Sequence, residues 1–183
     1  FTAALELLLE LGIDEVAAYV DGLVVGLSPV RYVHVDAKKK TVLVGGGALW
    51  GDVDHATHPF GLAVPAGIIS TTGVGGLTLG GGVGHLTRQF GLSIDSMLAV
   101  DMVLADGRFV TASPKENADL FWAVRGGGGN FGVVTSFLFK GHPVHTNYAG
   151  PMLWRLDDAP EVMRWYRKFI KKAPKELNGF FAF

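Results

Sequence analysis

The stretch from Pro65 to Asp95 reads PAGIISTTGVGGLTLGGGVGHLTRQFGLSID, and eight of its residues between Gly67 and Gly84 are glycines. Glycine loses more backbone entropy on folding than any other residue, so this cluster suits neither an ordinary core nor a solvent loop. It suits a place where bare backbone approaches a large ligand, often a phosphate held by backbone N–H groups. We therefore interpret the segment as a ligand-contacting loop. A buried turn that needs positive φ would explain only a few of its glycines.

The composition bounds the class of protein. The chain has 183 residues, of which 49% are hydrophobic and 18% charged, enough for one domain or two small subdomains with a sizeable core. The net charge of −1 gives no bias toward nucleic acid or an acidic membrane surface. Glycine or charge interrupts every apolar run, and Glu6 and Glu10 in the Leu-rich start are atypical of a signal peptide. We expect no nucleic-acid partner, no membrane span and, without cysteine, no disulfide or thiol chemistry.

The spacing of apolar residues predicts a series of short helices and strands along the chain. The predicted helices lie at 2–11, 48–58, 117–125 and 159–172. The predicted strands lie at 16–20, 23–27, 32–36, 41–44, 97–104, 108–112, 133–139 and 149–156, with a last, unpaired strand at 178–183. Asp106-Gly107 is a hairpin signal, which pairs the strands on either side of it.

Several side chains have predicted local roles. Asn117 is a candidate cap for the helix that follows it, and Asp157 or Asp158 for the last helix. Asp52 and Asp54 fall in the first turn of the helix at 48–58, where the helix dipole favours negative charge. The aromatic residues expected in the core are Trp50, Phe121, Trp122 and Phe137.

A second glycine cluster, GGGNFG at Gly127–Gly132, matches the dinucleotide pattern G-x-G-x-x-G letter for letter. That pattern binds a pyrophosphate when a strand precedes the glycines and a helix follows them. Here a predicted helix precedes the glycines and a predicted strand follows, so the order is reversed. We interpret the cluster as a tight helix-to-strand connection that lies beside a ligand.

Two His-x-x-His pairs, His55/His58 and His142/His145, have no acidic residue at an offset that completes a zinc site. We expect these four histidines to be solvated and predict no metal site. His85 differs because it directly follows the glycine cluster. Its side chain either contacts the ligand or ends the turn.

Several stretches, in this order, resemble FAD-linked oxidases of the vanillyl-alcohol-oxidase and berberine-bridge-enzyme type, over about residues 23–143. Together they are more specific than a lone glycine pattern. They are VGGGALWGDV at 44–53, GVGGLTLGGGVG at 73–84, FGLSID with a Tyr-like Phe90 at 90–95, and NADLFWA at 117–123 with the glycines and strand of 126–135.

The resemblance implies a PCMH-type FAD-binding domain, here mainly its second subdomain, with the flavin extended between α+β subdomains. It also implies that the glycine segment lines the pyrophosphate and flavin with backbone groups, while the second cluster contacts the cofactor from the other side. The residues to which this cofactor-binding role would pass are Ser70, Thr71, Gly73, Gly75, Gly76, Leu77, Thr78, Gly81, Gly82, Gly84, Gly132, Val133 and Val134. His85 joins this list of cofactor-binding candidates because of its position next to the glycine cluster.

The chain departs from the family pattern at the residues that attach FAD covalently. Many members use a histidine in an Arg-x-Gly-Gly-His stretch, whose place is held here by residues 13–20. Some add a cysteine, and Ile69 stands at that position. Gly26 stands where the family often has Asp. We therefore expect any bound FAD to be non-covalent.

The resemblance implies the FAD-binding portion of a flavin-dependent oxidoreductase of alcohol, sugar or secondary-metabolite substrates. We divide the chain into an N-terminal segment that does not match the family (1–22), a partial FAD-binding domain (23–145) and the beginning of a substrate domain (146–183). We assign no catalytic residue, and we expect the isolated chain to be inactive and prone to self-association. The alternative is a truncated or degenerate remnant that folds or associates without binding FAD.

Overall fold

The computed structural model describes residues 2–10, 15–19, 22–144 and 146–181. Its helices are α1 (Thr2–Glu10), α2 (Trp50–Thr57), α3 (Val74–Leu79), α4 (Thr87–Phe90), α5 (Ala118–Val124) and α6 (Ala159–Phe169). Its strands are β1 (Glu15–Tyr19), β2 (Gly22–Gly26), β3 (Val33–Asp36), β4 (Thr41–Gly45), β5 (Leu62–Ala63), β6 (Met97–Val103), β7 (Phe109–Ala112), β8 (Val133–Lys140) and β9 (His142–Pro143). Short 3₁₀ turns lie at His58–Phe60, Ser93–Ser96, Gly128–Phe131 and Leu156–Asp158. The predicted α+β class is confirmed.

A five-stranded antiparallel sheet with the order β3-β4-β8-β6-β7 forms the centre of the fold. Its two outer pairs, β3-β4 and β6-β7, are hairpins, and the predicted Asp106-Gly107 turn joins the second of them. The late strand β8 lies between the hairpins and hydrogen-bonds to both. Two smaller antiparallel pairs, β1-β2 and β5-β9, complete the described strands.

The main core lies on one face of this sheet and includes buried residues of α2, α3 and α5. Val42 and Val44 alternate with half-buried neighbours along β4 and lie opposite Phe139 and Phe137 of β8, so all four side chains point to the same face. Trp50 of α2 packs on this face, with its ring centroid 5.7 Å from that of Phe139.

One of the aromatic residues predicted in the core is outside it. Trp50, Phe121 and Phe137 are buried as expected, but the side chain of Trp122 is 77% exposed. Helix α5 buries Phe121 and Val124, which are three residues apart and share a face. Trp122 is adjacent to Phe121 in sequence and therefore points to another side of the helix.

The region from residue 146 to 181 differs from the prediction in its strands. The expected strand at 149–156 is absent: residues 146–155 form no regular structure, and a 3₁₀ turn begins at Leu156. Residues 178–181 likewise form no strand, while 182 and 183 lie outside the described residues. Within the described ranges neither segment has a neighbouring strand to pair its backbone groups, which a β-strand requires.

Helix α6 is confirmed, although it ends at Phe169, three residues before the predicted end. Asp158 is its N-cap residue but makes no side-chain capping bond, and neither does Asn117 at α5. Asn117 instead adopts positive φ and donates from Nδ2 to the carbonyl of Thr111. Of the helices in the described ranges, none is long and apolar enough to span a membrane.

Candidate functional site

The glycine-rich segment is not one continuous loop, as the sequence suggested. Its first part runs antiparallel to the entry of α2: the amide of Gly51 donates to the carbonyl of Ser70 at 2.8 Å, and Val74 donates to Ala48 at 2.9 Å. Residues Val74–Leu79 then form α3. The backbone of the segment is therefore partly fixed by hydrogen bonds to its own chain before any ligand is considered.

A third group of glycines, Gly45–Gly47, precedes the other two in sequence. It is held at the end of β4 by the loop that precedes β3. Gly45 donates to Tyr32 at 2.9 Å, and Gly47 donates to Val30 at 3.0 Å. Between these two acceptors, Arg31 reaches Asp52 with two hydrogen bonds of 2.7 and 2.8 Å. These bonds lower the pKa of Asp52, which also accepts a bond from the amide of Leu49. The predicted first-turn position is confirmed for Asp52 and is wrong for Asp54, which lies beyond the first turn of α2. The ion pair of Asp52 joins the loop before β3 to the start of α2.

The three glycine clusters meet at one end of the sheet. The amide of Gly46 donates to the carbonyl of Thr135 in β8 at 2.7 Å. Gly75 of α3 also lies against Gly46, since a Cβ built on Gly75 would be 3.2 Å from the Gly46 carbonyl oxygen. Helix α3 also contacts the Gly128–Phe131 turn of the second cluster. Sequence-distant residues that were predicted to bind one cofactor therefore lie in neighbouring elements.

Some of these glycines are required by packing within the chain. A Cβ on Gly82 would collide with the side chains of Ser93 and Leu77, and one on Gly84 would collide with the carbonyl of Ala66. A Cβ on Gly132 would collide with the carbonyl of Val103. Gly82 and Gly132 also have positive φ, at 78° and 143°. These positions need glycine even without a ligand.

Other glycines face open space. A Cβ on Gly73, Gly76, Gly128 or Gly129 would meet no atom within 4 Å. The amides of Gly75 and Gly76, in the first turn of α3, donate to no acceptor in the described part of the chain. First-turn amides have no partner within their own helix, and the N-cap residue Gly73 offers no side-chain bond. Gly128 needs glycine for its positive φ of 69°. Neither packing nor φ within the described chain accounts for Gly73, Gly76 and Gly129, which leave bare backbone at the surface.

Apolar side chains are exposed at both ends of the glycine segment. Ile68 and Ile69 are 55% and 56% exposed, and Val83 is 71% exposed. The packing of Gly84 against Ala66 brings the two ends of the segment together. Grouped apolar side chains that remain in contact with water are typical of a surface that another molecule covers.

The predicted site residues differ in how far they reach the surface. The exposed ones are Ser70, Thr71, Gly73, Gly76 and His85. The half-buried ones are Gly75, Leu77, Gly82, Gly84, Gly132 and Val133. The buried ones are Thr78, Gly81 and Val134.

Two buried hydroxyl groups near α3 have no hydrogen-bond partner among the described residues. They belong to Thr78 and Ser93, and Ser93 also supports the segment through a bond from its amide to Gly82 at 3.1 Å. A buried hydroxyl without a partner costs free energy, so such groups mark places that a ligand or water satisfies. Sequence reasoning placed Ser93 in a family motif but not among the site residues.

The histidines behave differently from one another. His142 was predicted to be solvated, and this prediction is wrong. Its Nε2 lies 2.9 Å from Ser96 Oγ, and its ring stacks on Phe90 with centroids 4.2 Å apart. Burial, and next the charge of Lys140, lower the pKa of His142. His145 lies outside the described residues, which contain no group of three His, Cys, Asp or Glu side chains that could hold a metal ion.

Comparison with known proteins identifies the family. Residues 11–113, more than half of the chain, match the sequence profile of a family described as FAD binding domain. The FAD-linked oxidoreductase pgmH of Aspergillus terreus is 47% identical over 135 residues, which make up 74% of this chain and 26% of that protein.

Two solved structures share the fold over most of the chain. Chitooligosaccharide oxidase superposes with a TM-score of 0.71 and 31% identity, over 82% of this chain and 33% of that one. Glucooligosaccharide oxidase from Acremonium strictum, solved to study its 6-S-cysteinyl, 8α-N1-histidyl FAD, gives a TM-score of 0.59 and 39% identity over 62% of this chain and 24% of that one. The chain therefore spans about a quarter to a third of the length of these relatives. It belongs to the FAD binding domain family, among flavoproteins of the vanillyl-alcohol-oxidase and berberine-bridge-enzyme type.

Proposed function

We propose that this chain binds FAD without a covalent bond and is the FAD-binding portion of a flavin-dependent oxidoreductase. The observation that carries the proposal is the open backbone of α3, where Gly75 and Gly76 present unpaired amides and Gly76 has no atom within 4 Å of a built Cβ. A diphosphate needs several N–H donors and no side-chain bulk, and this surface offers both.

The residues present fit the cofactor chemically. The amides of Gly73, Gly75 and Gly76 would hold the diphosphate, and the exposed side chains of Ile68, Ile69 and Val83 would cover the apolar ring system. The open turn at Gly128–Phe131 would contact the cofactor from the second side. When bound, FAD supplies the electron-transfer chemistry, whereas the chain supplies its binding and orientation.

Non-covalent binding is supported by the side chains that the chain lacks. The sequence contains no cysteine and no Arg-x-Gly-Gly-His stretch, and Ile69 stands where the family resemblance places the linking cysteine. Acid precipitation of the loaded protein should release all of the flavin to the supernatant. Flavin absorbance that stays with the pellet would contradict this part of the proposal.

The substrate is proposed only as a class. Because chitooligosaccharide oxidase and glucooligosaccharide oxidase share this fold, a sugar is favoured within the wider range of alcohols and secondary metabolites. Residues 23–145 would form the cofactor domain, and residues 146–183 would begin the domain that binds the substrate. No residue of this chain is given the role of catalytic acid or base.

The test is a titration of the 183-residue chain with FAD, followed by the change in flavin fluorescence. Gly76→Leu places bulk on the open face of α3, and it should abolish FAD binding. Leucine has a better helix propensity than glycine by up to about 1 kcal/mol, so the fold is retained. Gly150→Leu, at a glycine that also has no atom within 4 Å of a built Cβ but lies outside the site, is the matched control.

The outcomes separate the proposal from its alternative. FAD binding by the wild type and by Gly150→Leu, with loss in Gly76→Leu, supports the site. A folded wild-type chain that binds no FAD would instead support a remnant that folds or associates without the cofactor. Equal binding by all three proteins would show that FAD lies elsewhere.

A further inference from the structure

Arg88 of α4 binds three backbone carbonyls that are far away in sequence. Its Nε donates to Leu177 at 2.8 Å, and its Nη2 donates to Ala173 and Pro174 at 3.2 Å each. These carbonyls lie four to eight residues beyond Phe169, the last residue of α6, in a segment that forms no helix or strand. Arg88 makes no salt bridge with an acidic side chain in the described part of the chain. Its hydrogen bonds therefore go to the backbone of this one segment.

The same stretch makes two further contacts with the residues beside Arg88. Asn178 Nδ2 donates to the carbonyl of His85 at 3.0 Å. The rings of Phe180 and His85 have centroids 5.9 Å apart. Residues 173–180, which we call the C-terminal strap, therefore lie along residues 85–88, and His85 is one of the predicted cofactor-binding residues.

A short chain of contacts continues from this point to α3. The amide of Gly84 donates to Thr87 Oγ1 at 2.9 Å, and Thr87 donates back to the Gly84 carbonyl at 3.2 Å. Gly84 packs against Ala66 so closely that a Cβ would collide. The adjacent Gly67 packs against the side chain of Leu77, which lies in α3 next to Gly76. Every step joins neighbouring residues, so displacement of residues 84–88 changes the packing against α3.

We propose that Arg88 is a positioning residue that couples the C-terminal strap to the cofactor site. The docked strap holds residues 84–88 in the arrangement to which FAD binds, and bound FAD in turn stabilises the docked strap. Such coupling is reciprocal, because each binding event must change the affinity of the other by the same factor. The inference rests on the proposed function, since FAD is the ligand at the coupled site.

The chemistry of Arg88 makes a graded test possible. The rigid, forked guanidinium reaches three carbonyls at once, which the single ammonium of lysine does not reproduce. Arg88→Lys keeps the charge and loses the fork, whereas Arg88→Gln loses both. Asn178→Ala removes the second polar contact without touching α4. Arg167→Gln on α6, where Arg167 is exposed and makes no salt bridge in the described part of the chain, is the control for loss of a cation elsewhere on the surface.

The experiment measures FAD affinity together with hydrogen exchange of the strap amides, such as that of Leu177, with and without FAD. In the wild type, FAD should slow exchange over residues 173–180. Arg88→Gln should raise the Kd for FAD about five-fold or more and remove this protection, within the usual range of coupling between two sites. Arg88→Lys and Asn178→Ala should have smaller effects of the same kind, and Arg167→Gln none.

The possible failures are distinguishable. If the wild type binds FAD but strap exchange does not respond to it, and Arg88→Gln keeps the wild-type Kd, the coupling is wrong and the proposed function stands. If the folded wild type binds no FAD, the proposed function and the coupling both fail. A purely structural Arg88 would lower stability without changing the FAD-dependent protection, so exchange of the strap amides in Arg88→Gln, measured with and without FAD, distinguishes the two roles.

Discussion

The sheet region, residues 33–140, and the C-terminal region, residues 146–181, both carry large aromatic side chains but treat them in opposite ways. The sheet region buries Phe137 and Phe139 completely. The C-terminal region buries none of its described residues and exposes 58% of Trp154 and 69% of Phe180. The difference teaches that apolar periodicity in a sequence predicts which face of an element is apolar. Whether that face is buried depends on another element that packs on it, which the periodicity does not predict.

The largest expected effect tests this difference directly. Phe139→Ala should lower the free energy of unfolding by about 3–5 kcal/mol, because it removes a fully buried ring that packs on Trp50. Phe180→Ala, the same substitution at an exposed ring, should change it by at most about 0.5 kcal/mol. Denaturant unfolding followed by circular dichroism measures both. Similar losses in the two variants would show that the C-terminal region has a buried core of its own.

The glycine segment offers the same comparison on a smaller scale. Gly82→Ala should destabilise the chain by about 1–3 kcal/mol, since its Cβ would collide with Ser93 and the backbone has positive φ. Gly76→Ala should stabilise it by up to about 1 kcal/mol, because alanine is the better helix residue and its Cβ meets no atom. Thermal unfolding without FAD measures both variants. A loss of stability in Gly76→Ala would place Gly76 among the packed glycines.

Local signals predicted most of the sheet region. The Asp106-Gly107 signal predicted the β6-β7 hairpin, and the apolar residues at 41–44 predicted the strand β4. The position of β8 between two hairpins was not predictable from local signals, because it depends on pairing between residues almost 100 positions apart, such as Val42 and Phe139.

The candidate site was predicted in outline only. Glycine density marks a place where bare backbone is needed, but it does not tell whether the chain itself or a ligand makes the close approach. Gly82 and Gly76 belong to one cluster in sequence, yet the first packs against Ser93 and the second faces open space. Only the path of the residue 91–96 segment, which brings Ser93 against Gly82, distinguishes them. In the same way, Arg88 has no partner nearby in sequence, so its bonds to residues 173–177 carried no local signal.

The smallest expected effect concerns His142 of β9, two residues beyond the sheet region, whose ring stacks on Phe90 and lies within hydrogen-bond distance of Ser96. Burial lowers the pKa of His142, so the folded chain takes up this proton less readily than the unfolded chain, in which histidine titrates near pH ~6.5. The contribution of the neutral ring to stability is therefore full above about pH 6.5 and is lost as the pH falls through the folded pKa.

His142→Gln, which keeps a polar side chain beside Ser96 but does not titrate, should remove this loss of stability below about pH 6.5. His58→Gln, at an exposed histidine of the sheet region, should leave it unchanged. Urea unfolding at a series of pH values between 5 and 8 gives the slope of stability against pH for each protein. Because the slope counts the difference in bound protons between the unfolded and folded chains, it isolates this one group from any general weakening by the substitution. An unchanged slope in His142→Gln would mean that the stacked ring accepts its proton in the folded state as easily as it does in water.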